Sequence, residues 1–327
     1  MHPSPAFAVR ALKQWPIAPA VGIRLVNFSE NHTFAITAAD GARYCLRVHR
    51  PGYQSTQSIE SELTWLDALR ADTGLPVPQP LAGHDDLLLQ SIDEDGHLRH
   101  CVLFGHIEGR EPSFGSGLEP IFEILGGYAA RMHEHAANWA RPSGFTRHVW
   151  SADQVLDSDG LWGDWRSAPG VDGSVRTVLD RLDERLRADL AAYGTDADRF
   201  GLIHADMRLG NLLVDEERVS LIDFDDSGFC WFAYDFAAAV SFHETEPEIA
   251  SLKDAWLRGY LPQRAVTRED IAALDTMVLL RRMALLAWIG SHNDTELARG
   301  HEPGFANGTA ELAARYLAGR DLWSLTL

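Results

Sequence analysis

Positive charge is in short supply in this 327-residue sequence: 29 Lys and Arg stand against 47 Asp and Glu, a formal balance of −18 at pH 7. A surface of that sign repels phosphate backbones and anionic lipid headgroups, and no Lys/Arg-rich block offsets it locally, so neither nucleic acid nor a membrane is expected as a partner. Cysteine is scarce as well. Cys45, Cys101 and Cys230 lie far apart, form no CxxC pair and lack flanking His at zinc-ligand spacing, so they read as reduced core thiols. Long apolar runs are missing. The first 19 residues carry Pro3, Pro5, Pro16 and Pro19 and no stretch of signal-peptide length. The most apolar helix candidate, residues 276–289, is broken by Arg281 and Arg282 and is no plain membrane span. A cytoplasmic, soluble protein is expected, and no internal repeat is visible.

What is present is core material. With 46% hydrophobic and 23% charged residues, disorder is excluded for most of the chain, and the length exceeds what one hydrophobic core usually fills. Two textures divide it, predicting domains at 1–107 and 108–327. The first is strand-like. Residues 33–37 and 44–48 flank a turn at Ala39-Asp40-Gly41, and Leu87–Gln90 and Cys101–Phe104 flank another at Asp93-Glu94-Asp95-Gly96, suggesting two hairpins. Ile59, Leu63, Leu66 and Leu69 recur at helical spacing between them. The second texture is helical, with helices predicted at 120–138, 175–192, 248–260, 268–291 and 310–317. Ile121, Leu125, Tyr128 and Met132 share one face of the first. Residues 141–174 show no resolvable pattern.

The exception within the helical part is the apolar-rich stretch 202–224. It contains His204-Ala205-Asp206 and Asn211, an H-x-D-x-x-x-x-N core, then Ile222-Asp223-Phe224 after a turn at Asp215-Glu216-Glu217. A loop, a strand, a turn and a return strand between Asp206 and Asp223 bring both carboxylates to one end of a hairpin. That arrangement suits phosphoryl transfer, in which the protein supplies metal ligands and a group to orient the incoming hydroxyl, with little covalent chemistry. Asp206 would accept the alcohol proton, and Asn211 and Asp223 would hold Mg²⁺, a hard ion that prefers oxygen ligands.

On these residues, and on Tyr234-Asp235-Phe236-Ala237 downstream, the chain resembles the aminoglycoside phosphotransferase and choline kinase-like superfamily, in particular its bacterial homoserine kinase-like and stress-response Ser/Thr kinase group. The resemblance runs from about residue 31 to residue 316. It implies an α+β, bilobal, protein-kinase-like fold, with a small β-rich N-lobe, a larger helical C-lobe and ATP in the cleft. It makes Asp206 the catalytic base, Asn211 and Asp223 the metal ligands, and His204 a brace for the loop. Asn31-His32-Thr33-Phe34 would be the nucleotide-covering turn, without the G-x-G-x-x-G of protein kinases. The phosphate clamp falls on Arg47, where most relatives carry Lys; Arg stays cationic and can fork across two phosphates. Its expected partner is Glu62, with Glu60 as the fallback. Gly105 and Ile107, in the linker, would meet the adenine. Arg208 either neutralises the transferring phosphate or pairs with Asp223, Asp225 or Asp226.

The expected activity is ATP- and Mg²⁺-dependent transfer of a phosphoryl group to a hydroxyl, with Ser/Thr side chains of proteins and small amino alcohols of homoserine type both open as acceptors. An antibiotic phosphotransferase and a catalytically silent nucleotide-binding regulator are the alternatives. Candidate acceptor-site residues are Trp231, His243, Arg281, Arg282, Trp288 and His292. Adjacent residues on a helix point about 100° apart, so at most one of the two arginines would face an acceptor, and it would favour one carrying a carboxylate.

Overall fold

The computed structural model describes residues 4–28, 31–94, 96–115 and 117–324. These residues form two compact units. One holds the chain up to Arg110 together with Ala140–Arg147 and Leu213–Asp225, and the other holds Glu111–Trp139, His148–Leu212 and the chain from Asp226 onward.

The first unit opens with a helix the sequence reading missed, α1 (Pro5–Ala11). Ser4 caps it by accepting the Phe7 N–H at 3.2 Å, and Pro5 stands in its first turn, where a missing N–H costs nothing and the fixed φ suits a helix. Of the prolines in this segment, Pro5 starts a helix. Then follow β1 (Ala20–Phe28), β2 (His32–Ala38), β3 (Arg43–Val48), α2 (Thr56–Thr73), β4 (Pro80–Leu81), β5 (Gln90–Glu94) and β6 (His97–Gly105). The strands form a six-stranded sheet in the order β1-β2-β3-β6-β4, with β5 also on β6, every pair antiparallel. Phe7, Ala8, Leu12 and Trp15 close one core against Phe34, Ile36, Leu46, Val48 and Leu103.

Helix α2 is longer at both ends than its periodicity showed, because Ser55 caps the start and Gly74, at φ 63°, the end. The second hairpin also differs from expectation. Leu87–Leu89 are irregular rather than a strand and follow a turn at His84-Asp85: the Gly83 N–H donates to the Leu87 carbonyl at 2.8 Å, the Gln90 amide ties Asp85 and Leu87, and pairing starts at Gln90 opposite Cys101. Of that hairpin's turn, Asp95 lies outside the described residues. At the other expected turn, Asn31–Phe34, β2 has already begun at His32.

In the second unit come α3 (Glu119–Asn138), β7 (His148–Val149), α4 (Ala152–Leu156), α5 (Gly173–Tyr193) and β8 (Phe200–Ile203). The chain then forms β9 (Leu212–Asp215) and β10 (Arg218–Leu221), a hairpin whose residues from Leu213 belong to the first unit, and returns as β11 (Gly228–Trp231), α6 (Tyr234–Ala239), α7 (Ile249–Tyr260), α8 (Arg268–Ser291), α9 (Glu296–His301) and α10 (Phe305–Leu317). β11 pairs with β8 antiparallel and with β7 parallel. Phe122, Leu125, Ala129 and Met132 are the buried face of α3, with Ile121 and Tyr128 half-buried at its margin. α3 meets α7 backbone to backbone at Gly126 and Gly259: a Cβ on the first would overlap the Trp256 carbonyl, and one on the second the Glu123 carbonyl. α8 starts with a capping box between Thr267 and Asp270 and is buried on nearly every side from Ala273 to Ile289, as a helix without a polar face must be. Among the described residues no helix is long and apolar enough to cross a membrane.

Residues 141–174, unreadable by periodicity, are fastened by side chains. Trp150, Trp162 and Trp165 are buried. Arg147, 6% exposed, donates to the Ser58 and Phe224 carbonyls and to that of Asp225.

Candidate active site

In the second unit, the chain leaves β8 through a strained turn. Ala205 has φ 67°, a region that costs a side-chain-bearing residue free energy unless its surroundings enforce it. Asp235, fully buried in the first turn of α6, does so by accepting the backbone N–H of His204 at 3.3 Å and of Ala205 at 2.8 Å. His133 of α3 bonds Asp235 Oδ2 through Nε2 at 2.9 Å and Tyr260 through Nδ1 at 2.8 Å. Burial pushes His133 below its ordinary pKa despite Asp235, so the neutral ring donates to the carboxylate and accepts from the phenol. His204 lies inside the turn, fully buried, and its Nδ1 accepts the Asp206 N–H at 3.2 Å.

Asp206 ends this scaffold. Its Oδ2 accepts Asn211 Nδ2 at 2.6 Å and Arg208 Nε at 3.2 Å, and its Oδ1 accepts Arg281 Nη2. Asn211 Nδ2 also reaches the Asp206 carbonyl at 2.8 Å. Burial alone would push the Asp206 pKa up; Arg281, then Arg208 and His204, outweigh it and hold the carboxyl below its usual range. The partner of Arg208 is therefore Asp206, which the sequence reading did not offer.

In the first unit, Arg47 and Glu62 are brought together. Arg47 Nη2 donates to Glu62 Oε1 at 2.7 Å, with Glu62 fully buried, while Glu60 is exposed. Arg47 Nη1 lies 3.5 Å from Asp223 Oδ1, and the guanidinium sits 5.1 Å from the Phe104 ring centre. Burial opposes its charge, but Glu62, Asp225 and Asp223 keep it cationic. Asp223 has φ 63° and a side chain 44% exposed.

Asn31 turns inward. Its Nδ2 donates to Asp225 Oδ2 at 2.8 Å and its Oδ1 accepts the Arg50 N–H at 3.2 Å. Asp225 is the hub here, with His49 Nδ1 3.7 Å from its other oxygen and Gln54 and Arg147 on its carbonyl. Nothing in its spacing distinguished it within Asp223-Phe224-Asp225-Asp226. Gly105 ends β6 with its N–H committed to the Gln79 carbonyl at 3.0 Å. Gly105, His106 and Ile107 line a cavity of about 370 Å³ with Val77, Gln79 and Arg218.

The acceptor candidates fare unevenly. Trp231 is core, donating to the Gly194 carbonyl at 2.7 Å and packed edge-on against Phe200. Trp288 stacks on His292, and His243 on Phe114. The two arginines, expected to offer at most one side chain to an acceptor, are 1% and 2% exposed. Arg281 is held by Asp206, and Arg282 by Glu244 at 2.6 Å, Thr309 and the Phe305 carbonyl. With both forks engaged, the argument for a carboxylate-bearing acceptor falls.

The donors suit the groups this chemistry requires. Asn211 spends its Nδ2 on Asp206, which leaves its amide oxygen as a hard ligand, and Asp223 offers an accessible carboxylate; both types fit Mg²⁺. Among the described residues the buried Nε of Arg47 has no hydrogen-bond acceptor, which makes it a donor suited to a phosphate oxygen.

Residues 23–272 match the model of the phosphotransferase enzyme family, and the chain belongs to that family. It is 39% identical to a microcompartment-associated aminopropanol kinase of known structure, with TM-score 0.89 over 98% of this chain and 100% of that one. An amicoumacin kinase solved with AMP-PNP and Ca²⁺ shares the fold at 19% identity, with TM-score 0.78 over 99% of this chain and 96% of that one. The amicoumacin kinase of Bacillus subtilis (strain 168) is 24% identical over 218 residues, which cover 66% of this chain and 61% of that protein's length. The mixed α+β fold, with its antiparallel sheet followed by a mainly helical part, is that of these kinases.

Proposed function

We propose that the protein is a cytoplasmic, ATP- and Mg²⁺-dependent phosphotransferase that phosphorylates the hydroxyl of a small amino alcohol. One observation carries the reading: the Asp206 carboxylate, buried at the end of a strained turn, is kept ionised by two arginines and shares an oxygen with Asn211. The acceptor hydroxyl gives its proton to Asp206 as its oxygen bonds to the transferred phosphorus and the bond to the ADP leaving group breaks. Asn211 and Asp223 are assigned to Mg²⁺, which when bound neutralises charge on the phosphate oxygens. Arg47, oriented by Glu62, clamps phosphate, and Gly105 and Ile107 meet the adenine edge. His204 braces the loop. Asn31 serves the nucleotide turn through Asp225.

The amino alcohol class is supported by the aminopropanol kinase, similar along nearly the whole chain. Neither arginine of α8 is available to read an acceptor carboxylate, which counts against a homoserine-like compound. The Asp206, Asn211 and Asp223 set speaks against a silent regulator. A coupled ADP-release assay with ATP and Mg²⁺ tests the reading on aminopropanol, ethanolamine, homoserine, a Ser/Thr peptide and an aminoglycoside. Turnover is expected on the amino alcohols. Efficient phosphorylation of the aminoglycoside or the peptide, with none of the amino alcohols, would overturn the acceptor class.

A further inference from the structure

The carboxylate of Asp206 can be followed lone pair by lone pair. Oδ2 accepts both Arg208 and Asn211, which uses its two lone pairs. Among the described residues Oδ1 accepts only Arg281 and keeps one. A hydroxyl proton passed to Asp206 therefore arrives at Oδ1, and Arg281 decides where the open lone pair points.

Arg281 is itself fixed at every nitrogen. Its Nε donates to Ser241 Oγ at 3.0 Å, Nη1 to the Ala205 carbonyl at 3.3 Å and Nη2 to Asp206 Oδ1. The guanidinium lies 5.0 Å from the ring centre of Trp162 and 5.8 Å from that of Tyr234. It projects from the middle of α8, the helix buried on nearly every side, and so is held by packing all round. One planar fork thus grips both the carbonyl of the residue at φ 67° and the oxygen that faces the acceptor. An ammonium cannot reproduce that geometry.

We propose that Arg281 is a positioning residue for phosphoryl transfer: by holding the Ala205 carbonyl and Asp206 Oδ1 together from α8, it aims the single open lone pair of Asp206 at the acceptor hydroxyl. This rests on Asp206 being the proton acceptor. A merely structural arginine would act on stability and on nucleotide binding, and independently of Asp206. A positioning arginine acts on kcat and only through Asp206.

A double-mutant cycle separates these roles. Arg281→Gln, Asp206→Asn and the double variant are assayed with ATP, Mg²⁺ and aminopropanol, alongside nucleotide affinity and thermal melting. Arg281→Gln is expected to lower kcat by about 10²-fold, the cost of misplacing a reacting group by an ångström, with KM for ATP unchanged. In the Asp206→Asn background it should cost nothing further. Arg281→Gly should regain turnover with millimolar guanidinium but not with urea, which has the same shape and no charge. Arg281→Lys is read in the same way, so a poorly folding Gln variant does not stop the test. Independent losses in the cycle, a raised KM for ATP, no rescue, or a fully active Lys variant would overturn the role of Arg281. Full turnover by Asp206→Asn would instead overturn the assignment of Asp206.

Discussion

At the scale of single residues, Asp206 and Glu62 carry opposite kinds of prediction. Asp206→Asn keeps the shape and the Asn211 contact but cannot take up a proton, so kcat should fall by about 10²-fold or more while Mg·ATP affinity, measured by calorimetry, stays near wild type. Glu62→Gln breaks a pair in which both side chains are buried. Losing the carboxylate bonded to Arg47, with Asp223 and Asp225 still beside it, should cost about 1.5–3 kcal/mol in a urea melt and raise KM for ATP. The two residues also mark what a sequence can reveal. The H-x-D-x-x-x-x-N core is legible because Asp206 and Asn211 touch within one loop. Arg281, which meets Asp206 from 75 residues away, and Arg147, which meets the Asp225 carbonyl from 78 away, leave no local trace.

At the scale of elements, the long helices α3, α5, α7 and α8 were the most legible part. α8 begins and ends where its pattern does, since a capping box starts it and apolar residues fill it. The α3–α7 contact was not legible, because a glycine seen alone says nothing of what approaches it. Gly126→Ala or Gly259→Ala should push the two helices apart and lower stability by about 1–3 kcal/mol. Because α3 also carries His133, bonded to Asp235 behind the catalytic turn, each variant should lose activity at temperatures where it is still folded. Melting followed by circular dichroism, with activity measured in parallel, checks both. Wild-type stability in both variants would mean that the helices can separate at no cost. The loop 141–174 escaped for the opposite reason: buried tryptophans hold it, and periodicity has nothing to report.

At the scale of the whole molecule, acid should unfold the protein through its neutral histidines. Burial, with Arg47 beside it, pushes His49 down to about 3, and burial pushes His133 below its ordinary value. The unfolded chain takes up protons near pH 6.5 that the folded chain refuses, so unfolding free energy falls as the pH drops from about 6.5 toward 3. Asp206 and Asp225, held below the usual carboxylate range, extend the loss at lower pH. Urea melts between pH 7 and 4 should show the decline, and His49→Gln should flatten it. One feature of the first unit also sets a clock. Asn31 and Asp225 hold each other across 194 residues of chain, and His49 and Arg47 sit in the same cluster. At about 5–20 residues per second, the ribosome delivers Asp225 roughly 10–40 s after Asn31. Through that interval Arg47 has Glu62 but not Asp223, and the acidic neighbour of His49 has yet to be made. This unit is therefore completed late although its sheet is synthesised first, and a nascent chain stalled before residue 225 should remain open to protease in its N-terminal sheet.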